Sequence, residues 1–298
     1  MKRWITSDSQ RVIALFAAAA FQSQMAPDHR AELFALAKAA EADPQQTTLA
    51  NCFLDLTGLT ACSTITLPAS AAPDGVARFA RNLDFPSFDI ADNATVLLVY
   101  KPEGKYAFAS IGWPGLIGVL SGMNEHGLAI ANMEVTRDAR PPTAMPYALL
   151  YRTVLERCRT VNEAIELIRH TPRQTQNNLM LMDAAGDRAV AEIYPDRVDV
   201  RRAGADEALI STNHRRCDLP NEAGRCARYD ELDRTAREQF GRLDVPELQS
   251  ALARVAQGDM TLQSMIFEPS TGVIYLATGK NAPSRSFRRI ELSSLFKR

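Results

Sequence analysis

The order in which helical and strand-forming segments follow one another constrains the fold of this chain most strongly. The first 60 residues are rich in Ala, Leu, Glu and Gln and predict three helices, at 10–24, 29–41 and 45–56. Strand candidates begin at residue 62, and two helical blocks, 147–170 and 228–256, interrupt them. These blocks are segregated and do not alternate as βαβ units. The sequence therefore predicts an α+β fold in which antiparallel sheets carry helices on their outer faces.

Turn and cap signals predict where individual elements end. The segment 124–127 (NEHG) predicts a hairpin turn, since Asn and Gly tolerate positive φ. Thr160 followed by Glu163 fits a capping box and predicts a break in the helical block at that point. The strand candidates are 62–67, 95–100, 106–111, 117–121, 128–134, 179–182, 189–194, 197–201, 208–212, 264–268, 273–277 and 287–292.

Composition narrows the class of protein. The 298 residues are 46% hydrophobic, which is ample for a large core and excludes wholesale disorder. Thirty-four basic residues balance thirty-five acidic ones, so neither nucleic acid nor an acidic membrane is an expected partner. No run of 18 apolar residues and no internal period occurs. A globular enzyme or binding domain remains.

The cysteines and the N-terminus bear on the compartment. Five cysteines spread over a long chain are not a disulfide framework, which favours a reducing, cytoplasmic setting. Two observations leave export open: Cys217 and Cys226 could pair in an oxidising compartment, and the apolar segment 12–21 after a basic start partly fits a signal peptide. The four histidines are scattered, so neither a metal nor another cofactor is expected.

Two short segments contain candidate catalytic residues. Cys62 lies where the helical leader gives way to the first strand candidate, a position usual for a small buried side chain. Within 79–85 (FARNLDF), strand alternation places Arg81 on one face and Asp84 on the other. These charges are either solvated on an edge strand or buried beside a nucleophile. The sequence has no GxSxG, SxxK, P-loop or GxGxxG motif.

Several blocks in a fixed order resemble a known family. After Cys62 come ARNLDFP (80–86), GWPGLIGVLSGMNEHGLAIANM (112–133), NNLMLMDAAGDRAVAEIYP (177–195) and STNH (211–214). Together they resemble the cysteine N-terminal-nucleophile (Ntn) hydrolases. The nearest group is the penicillin acyl-CoA:6-aminopenicillanic acid acyltransferases, which are related to choloylglycine hydrolases and acid-ceramidase-type amidases.

The resemblance implies a four-layer αββα sandwich that is made as an inactive precursor. Cys62 would attack the carbonyl of Ala61, and hydrolysis of the resulting thioester would separate a leader, 1–61, from a catalytic chain, 62–298, in a heterodimer. Cleavage gives Cys62 a free α-amine, whose reference pKa of about 7.7–8.0 suits a base at neutral pH. One residue then supplies both nucleophile and base.

The resemblance also implies roles for further side chains. Arg81 would hold the thiolate, and Asp84 would orient the nucleophile or its amine. Asn213 would donate its side-chain amide to the oxyanion, and Asn132 would be a second oxyanion or substrate contact. Arg228 would support the site from a helix. The expected activity is cleavage or transfer of the acyl group of a small N-acyl substrate, with acyl-CoA as one candidate donor.

Other interpretations stay open at this point. One is an uncleaved, non-catalytic protein that binds acyl ligands on the same scaffold. Another is a Cys–His mechanism that uses His214, although no carboxylate stands at an interpretable spacing from it. Asn177 and Asn178 are interpreted as strand-entry residues. The large apolar side chains that are candidates for an acyl pocket, or for the core, are Phe85, Phe88, Trp113 and Met133.

Overall fold

The computed structural model describes residues 8–56, 60–135, 143–174, 176–217 and 226–297. Its helices, numbered in chain order, are α1 Asp8–Gln24, α2 Pro27–Ala39, α3 Pro44–Leu56, α4 Tyr147–Arg157, α5 Val161–His170, α6 Ala227–Glu238, α7 Val245–Arg254 and α8 Leu292–Phe296. The three expected N-terminal helices are confirmed. The expected break at Thr160 is confirmed as well, since its hydroxyl accepts a hydrogen bond from the Glu163 amide and caps α5.

The strands form two antiparallel sheets. The first sheet has the order β10-β1-β2-β11-β12-β13, and the second runs β3-β4-β5-β6-β7-β8-β9. The strands are β1 Ala61–Leu67, β2 Arg78–Asp84, β3 Val96–Tyr100, β4 Phe108–Gly112, β5 Ser121–Asn124, β6 Ala129–Glu134, β7 Asn177–Met182, β8 Arg188–Ile193, β9 Val198–Arg202, β10 Leu209–Ser211, β11 Thr261–Glu268, β12 Val273–Thr278 and β13 Arg288–Glu291.

Apolar side chains arrange these elements in four layers. Ile65 and Ile266 lie on the outer face of the first sheet and pack against Leu232 of α6 and Leu252 of α7. The two sheets bury their inner faces against each other, and α4 and α5 cover the second sheet in the same core. The predicted α+β fold with helices outside two antiparallel sheets is therefore confirmed as an αββα sandwich.

One predicted strand, 117–121, is wrong. Backbone N–H groups of this segment donate hydrogen bonds to groups that do not belong to a neighbouring strand. Ile117 N donates to Asn51 Oδ1, and Val119 N donates to the Ala148 carbonyl. A Cβ on Gly118 would come within 2.6 Å of the Ala148 Cβ, so the segment packs tightly against the start of α4. The strand begins only at Ser121.

Helices α1 to α3 pack as a unit against the sandwich. Phe21, Leu33 and Cys52 form a small core with Ile117 and with Leu149 of α4. Among the described residues, no helix combines the length and the apolar character that crossing a membrane requires.

The central strands of the first sheet place the candidate residues. β1 lies between β10 and β2, and β2 lies between β1 and β11. Cys62 stands opposite Leu83, and Ala61 stands opposite Asp84. Cys62 therefore sits at the end of a strand that has neighbours on both sides.

Candidate active site

Cys62 is hydrogen-bonded through its nitrogen, its carbonyl oxygen and its sulfur. Its backbone N–H donates to Asn213 Oδ1 at 2.8 Å. Its carbonyl accepts from Arg228 Nη1 at 2.5 Å, and its Sγ accepts from Arg81 Nη2 at 3.3 Å. The structure thus brings Asn213, Arg228 and Arg81, which are distant in sequence, around one buried cysteine.

Arg81 is buried between the two sheets. Its Nη1 donates to the Leu120 carbonyl and to Ser121 Oγ, each at 2.5 Å, while its Nη2 points at the Cys62 sulfur. No carboxylate forms a salt bridge with it among the residues that the structure describes. A guanidinium without a carboxylate is costly to bury. A Cys62 thiolate would neutralise it.

Asp84 lies on the opposite face of β2, as strand alternation predicts. Its Oδ1 accepts from Thr261 Oγ1 at 2.5 Å, and its Oδ2 is 3.5 Å from Arg228 Nη1. The net pKa of Asp84 is raised to about 6, because its burial outweighs the opposing effects of the Thr261 hydroxyl and of the charges of Arg228 and Arg81. Because both Arg81 and Asp84 are fully buried on a central strand, the alternative of a solvated edge pair is wrong.

Arg228 connects these groups from the first turn of α6. Its Nη2 donates to Asn213 Oδ1 at 3.1 Å, and its Nη1 reaches the Cys62 carbonyl and the Asp84 carboxylate. It therefore fixes the relative positions of Cys62, Asn213 and Asp84.

The electrostatic surroundings keep the Cys62 thiol protonated in the intact chain. Burial raises the pKa of the thiol above its ordinary value. The Arg81 guanidinium partly offsets that rise, whereas the Asp84 carboxylate adds to it. A protonated thiol would need a base in order to attack a carbonyl.

Glu134 is a site residue that the sequence reasoning missed. Its Oε2 accepts from the Thr60 backbone N–H at 2.9 Å and from the Thr60 hydroxyl at 3.0 Å. Asn213 Nδ2 donates to the Glu134 carbonyl at 2.6 Å and to the Thr60 carbonyl at 3.4 Å. Glu134 and Asn213 together hold the residue just before Ala61. Glu134 directly follows the block that ends at Met133, and this position in the sequence is the signal that could have identified it as a site residue.

Asn132 is placed differently from the other candidates. It shares a face of β6 with Glu134 but lies two residues deeper in the strand. Its side-chain oxygen is buried and, among the described residues, has no hydrogen-bond partner. No hydrogen bond joins its side chain to Cys62 in the described part of the chain. Its oxyanion role stays a prediction.

His214 does not form a dyad with Cys62 in the described structure. Its Nδ1 is 3.3 Å from Thr212 Oγ1. Burial lowers the pKa of His214, and the charges of Arg228 and Arg216 lower it further. The imidazole is therefore neutral at neutral pH and oriented by a hydroxyl.

An apolar cavity of about 400 Å³ lies between α2, α3 and the sandwich. Phe85 and Trp113 line it from the sandwich, and their ring centroids are 5.2 Å apart. Phe88 packs on Phe85, whereas Met133 is buried between the sheets, where its sulfur accepts from the Thr64 hydroxyl. The residues lining the cavity from α2, α3 and the turn between them are Leu36, Ala40, Ala42, Gln46, Thr47, Ala50, Asn51, Phe53 and Leu54.

A second polar cluster joins α2 to α4. Asp28, His29 and Glu156 place ligand-type atoms within 4.8 Å of one another. The Lys105 ammonium binds both carboxylates, and Arg152 Nε donates to Glu156 at 2.8 Å. Protein cations therefore already occupy the position in which a metal ion would neutralise these carboxylates.

All five cysteines are free thiols, including Cys217 and Cys226. The alternative pairing of these two is not formed in this structure. Burial raises the pKa of Cys158 to about 12. Cys217 reaches about the same value through its partial burial and the nearby Glu192 carboxylate. These thiols are therefore weak nucleophiles at neutral pH.

Comparison with known proteins gives both a family match and structural relatives. The profile of the acyl-coenzyme A:6-aminopenicillanic acid acyl-transferase family matches residues 71–283, a span that begins after Cys62. No curated protein sequence matches at a significant level.

Solved structures of similar fold include three enzymes. Penicillin V acylase from Agrobacterium tumefaciens superposes with a TM-score of 0.59 at 17% identity, covering 78% of this chain and 86% of that one. An N-acylethanolamine-hydrolyzing acid amidase ortholog from Caenorhabditis elegans gives 0.56 at 18%, covering 70% and 93%. A mutant conjugated bile acid hydrolase from Clostridium perfringens gives 0.53 at 18%, covering 78% and 93%.

Proposed function

Because the chain belongs to the acyl-coenzyme A:6-aminopenicillanic acid acyl-transferase family, whose members act on acyl groups, we propose that it is a self-processing cysteine enzyme. Cys62 would be its nucleophile, and the substrate would be a small N-acyl amide. One observation carries the proposal: the nitrogen, carbonyl oxygen and sulfur of Cys62 are each held by a different polar side chain. Any buried residue needs partners for its backbone N–H and carbonyl, but a cysteine that serves only packing does not need a guanidinium at its sulfur.

Processing begins with the Ala61–Cys62 peptide bond. Cys62 Sγ attacks the Ala61 carbonyl carbon, a C–S bond forms, the C–N bond breaks, and the thiol proton ends on the Cys62 nitrogen. Arg81 stabilises the developing thiolate, and Asn213 Oδ1 remains the acceptor for the new amine. Water then hydrolyses the thioester and regenerates the thiol. Glu134 keeps the leader side of the bond in place while this occurs.

Turnover uses the groups that processing exposes. The α-amine of Cys62, with a reference pKa of about 7.7–8.0, accepts the thiol proton. Release of Thr60 frees one N–H of Asn213 Nδ2, while the other stays on the Glu134 carbonyl, and the freed N–H can then donate to the oxyanion of a substrate carbonyl. The acyl group passes to Cys62 as a thioester, and water or an amine takes it from there.

The cavity supports an apolar acyl group as the part of the substrate that is recognised. Its volume of about 400 Å³ falls in the usual range for a small-molecule site, and its lining includes aromatic rings. Since α2 and α3 supply much of that lining, the leader stays with the catalytic chain as a heterodimer after cleavage. The free thiols support a reducing, cytoplasmic compartment for this enzyme.

Trapping the acyl-enzyme tests the proposal. Wild-type protein is mixed with N-acetyl, N-hexanoyl and N-decanoyl amides and quenched in acid, and the masses of its chains are measured. We expect the acyl mass to be added to a chain that begins at Cys62, with release of the free amine. Saturable binding without turnover, unchanged in Cys62→Ala, would instead favour a non-catalytic acyl-binding protein.

A further inference from the structure

The loop that presents Asn213 is held by a buried amide. Asn178 of β7 donates from Nδ2 to the Thr212 carbonyl at 3.0 Å and to the His214 carbonyl at 2.7 Å. These are the carbonyls of the residues on either side of Asn213. One side chain thus fixes the backbone before and after the residue that binds the Cys62 nitrogen.

A buried carboxylate holds the next part of the same loop. Glu192 of β8 is fully buried and accepts from the backbone N–H groups of Arg216, at 2.8 and 3.0 Å, and Cys217, at 3.0 Å. Arg201 Nε donates to it at 2.9 Å and supplies the opposite charge. The carboxylate is therefore paired and anchors the backbone at 216–217.

The two anchors form one unit. Asn178 and Glu192 stand directly opposite each other in the ladder between β7 and β8. Directly opposed side chains project from the same face of a sheet, so both reach the loop from one surface. Burying an amide and a carboxylate here is costly unless their hydrogen bonds are made. Among the described residues, the hydrogen bonds that offset this cost end on the loop or on Arg201, apart from a long contact between Asn178 Nδ2 and Ser211 Oγ, and Asn178 Oδ1 accepts none.

We propose that Asn178 and Glu192 are positioning residues for Asn213, and that this gives the block at 177–195 its role in the reaction. The inference rests on the proposed function, in which Asn213 first orients the Cys62 amine and then stabilises the oxyanion. A reacting group must be held to within about 0.5 Å, and a loop freed from its anchors does not meet that requirement. Loss of one oxyanion donor lowers kcat by about 100- to 1,000-fold. Displacement of Asn213 from its position should therefore cause a large fraction of that loss in kcat.

Asn178→Asp is the test variant because it keeps shape and volume but removes both N–H donors. We expect kcat to fall about 30- to 100-fold, while KM for an N-acyl amide stays within about twofold, since the anchors do not line the acyl cavity. As the pH falls, protonation of the new carboxyl returns one donor. The ratio of variant to wild-type kcat should therefore rise toward low pH.

Asn124→Asp is the matched control. Asn124 is equally buried, and its Nδ2 also bridges two backbone carbonyls, those of Leu155 at 2.9 Å and Cys158 at 2.7 Å, away from Cys62. Both variants lose stability, but only Asn178→Asp should lose kcat per folded molecule. If Asn178→Asp does not fold, Glu192→Gln replaces it, because this variant keeps one acceptor oxygen. It should lower kcat by less than the fall expected for Asn178→Asp, again with little change in KM.

The outcomes separate the two proposals. An active wild type in which Asn178→Asp and Asn124→Asp lose kcat equally, or in which only KM changes, overturns the positioning role alone. A wild type that forms no acyl-enzyme overturns the proposed function and this inference together.

Discussion

Burial destabilises the charged form of Asp84. Its carboxylate is buried beside Thr261 and Arg228, and burial raises its pKa to about 6, above the ordinary value of 3.8. A raised pKa means that the folded state binds the proton more tightly than the unfolded chain does. The stability contributed by protonated Asp84 is thus present below pH 3.8 and is lost as the pH rises through about 6.

Asp84→Asn, which keeps the shape without the charge, should therefore stabilise the protein at pH 8. The expected gain in unfolding free energy is at most about 3 kcal/mol, and it should vanish below about pH 4. Urea unfolding at both pH values measures it, in a Cys62→Ala background so that every chain is unprocessed. A loss of stability at pH 8 would contradict the burial argument.

The same substitution should impair the site that it stabilises. Without the carboxylate, Arg228 loses the charge that holds it near Asp84 and Cys62. In a chain with Cys62 intact, the processing rate should fall by at least about tenfold, which corresponds to about 1.4 kcal/mol. Wild-type processing should also slow below pH 6, as Asp84 becomes protonated, and a flat pH profile would argue against its role.

At the scale of single elements, the docking of α2 on α4 depends on buried charges. Arg152 of α4 bonds Glu156 on its own helix and Glu32 on α2, and His29 also reaches Glu156. Burial alone would raise the pKa of Glu156, but hydrogen bonds from His29, Lys105 and Arg152 lower it to about 2. The depressed pKa means that its stabilisation is present above pH 4.5 and is lost as the pH falls toward 2.

Arg152→Met should loosen this docking. Removing one partner of a buried ion pair costs about 3–5 kcal/mol, measurable as unfolding free energy in the Cys62→Ala chain. In the processed enzyme the leader should then separate from the catalytic chain on size exclusion. Arg169→Met removes an exposed pair with Glu166 on α5 and should cost less than about 1 kcal/mol. Equal effects of the two variants would mean that α2 is held by apolar contacts alone.

The elements differ in how far the sequence could predict them. The helices, the antiparallel sheets and the opposite faces of Arg81 and Asp84 follow from local periodicity and were predictable. The segment 117–121 has the composition of a strand, but contacts with α4 and Asn51 decide its conformation. Glu134 was missed because its partner Thr60 is 74 residues away in the chain. Such pairings depend on the register of whole strands, which local patterns do not determine.

At the scale of the whole molecule, the segment that the proposed cleavage would release is part of the candidate substrate site. Helices α2 and α3 close one side of the acyl cavity, while Phe85 and Trp113 close the other. Phe85 directly follows Asp84, which stands opposite Ala61, so the cavity lies next to the strand end that carries Cys62. Acyl selectivity should therefore depend on residues that the proposed cleavage would separate from residues 62–298.

Ala50→Trp would fill part of that cavity from the leader. Excluding about four methylenes, at about 0.8 kcal/mol each, should lower kcat/KM for an N-decanoyl amide by about 200-fold. The value for an N-acetyl amide should be unchanged. Ala35→Trp is the control, since Ala35 is an exposed leader residue that does not line the cavity. If Ala50→Trp affects both substrates equally, the acyl chain does not bind there.

In the proposed mechanism, Cys62 cuts the chain at its own N-terminal side. The most direct measurement is the denatured mass of the purified protein beside that of Cys62→Ala. We expect two fragments, 1–61 and 62–298, from the wild type and one intact chain from the variant. An intact wild type, or a variant cleaved at the same bond, would contradict it.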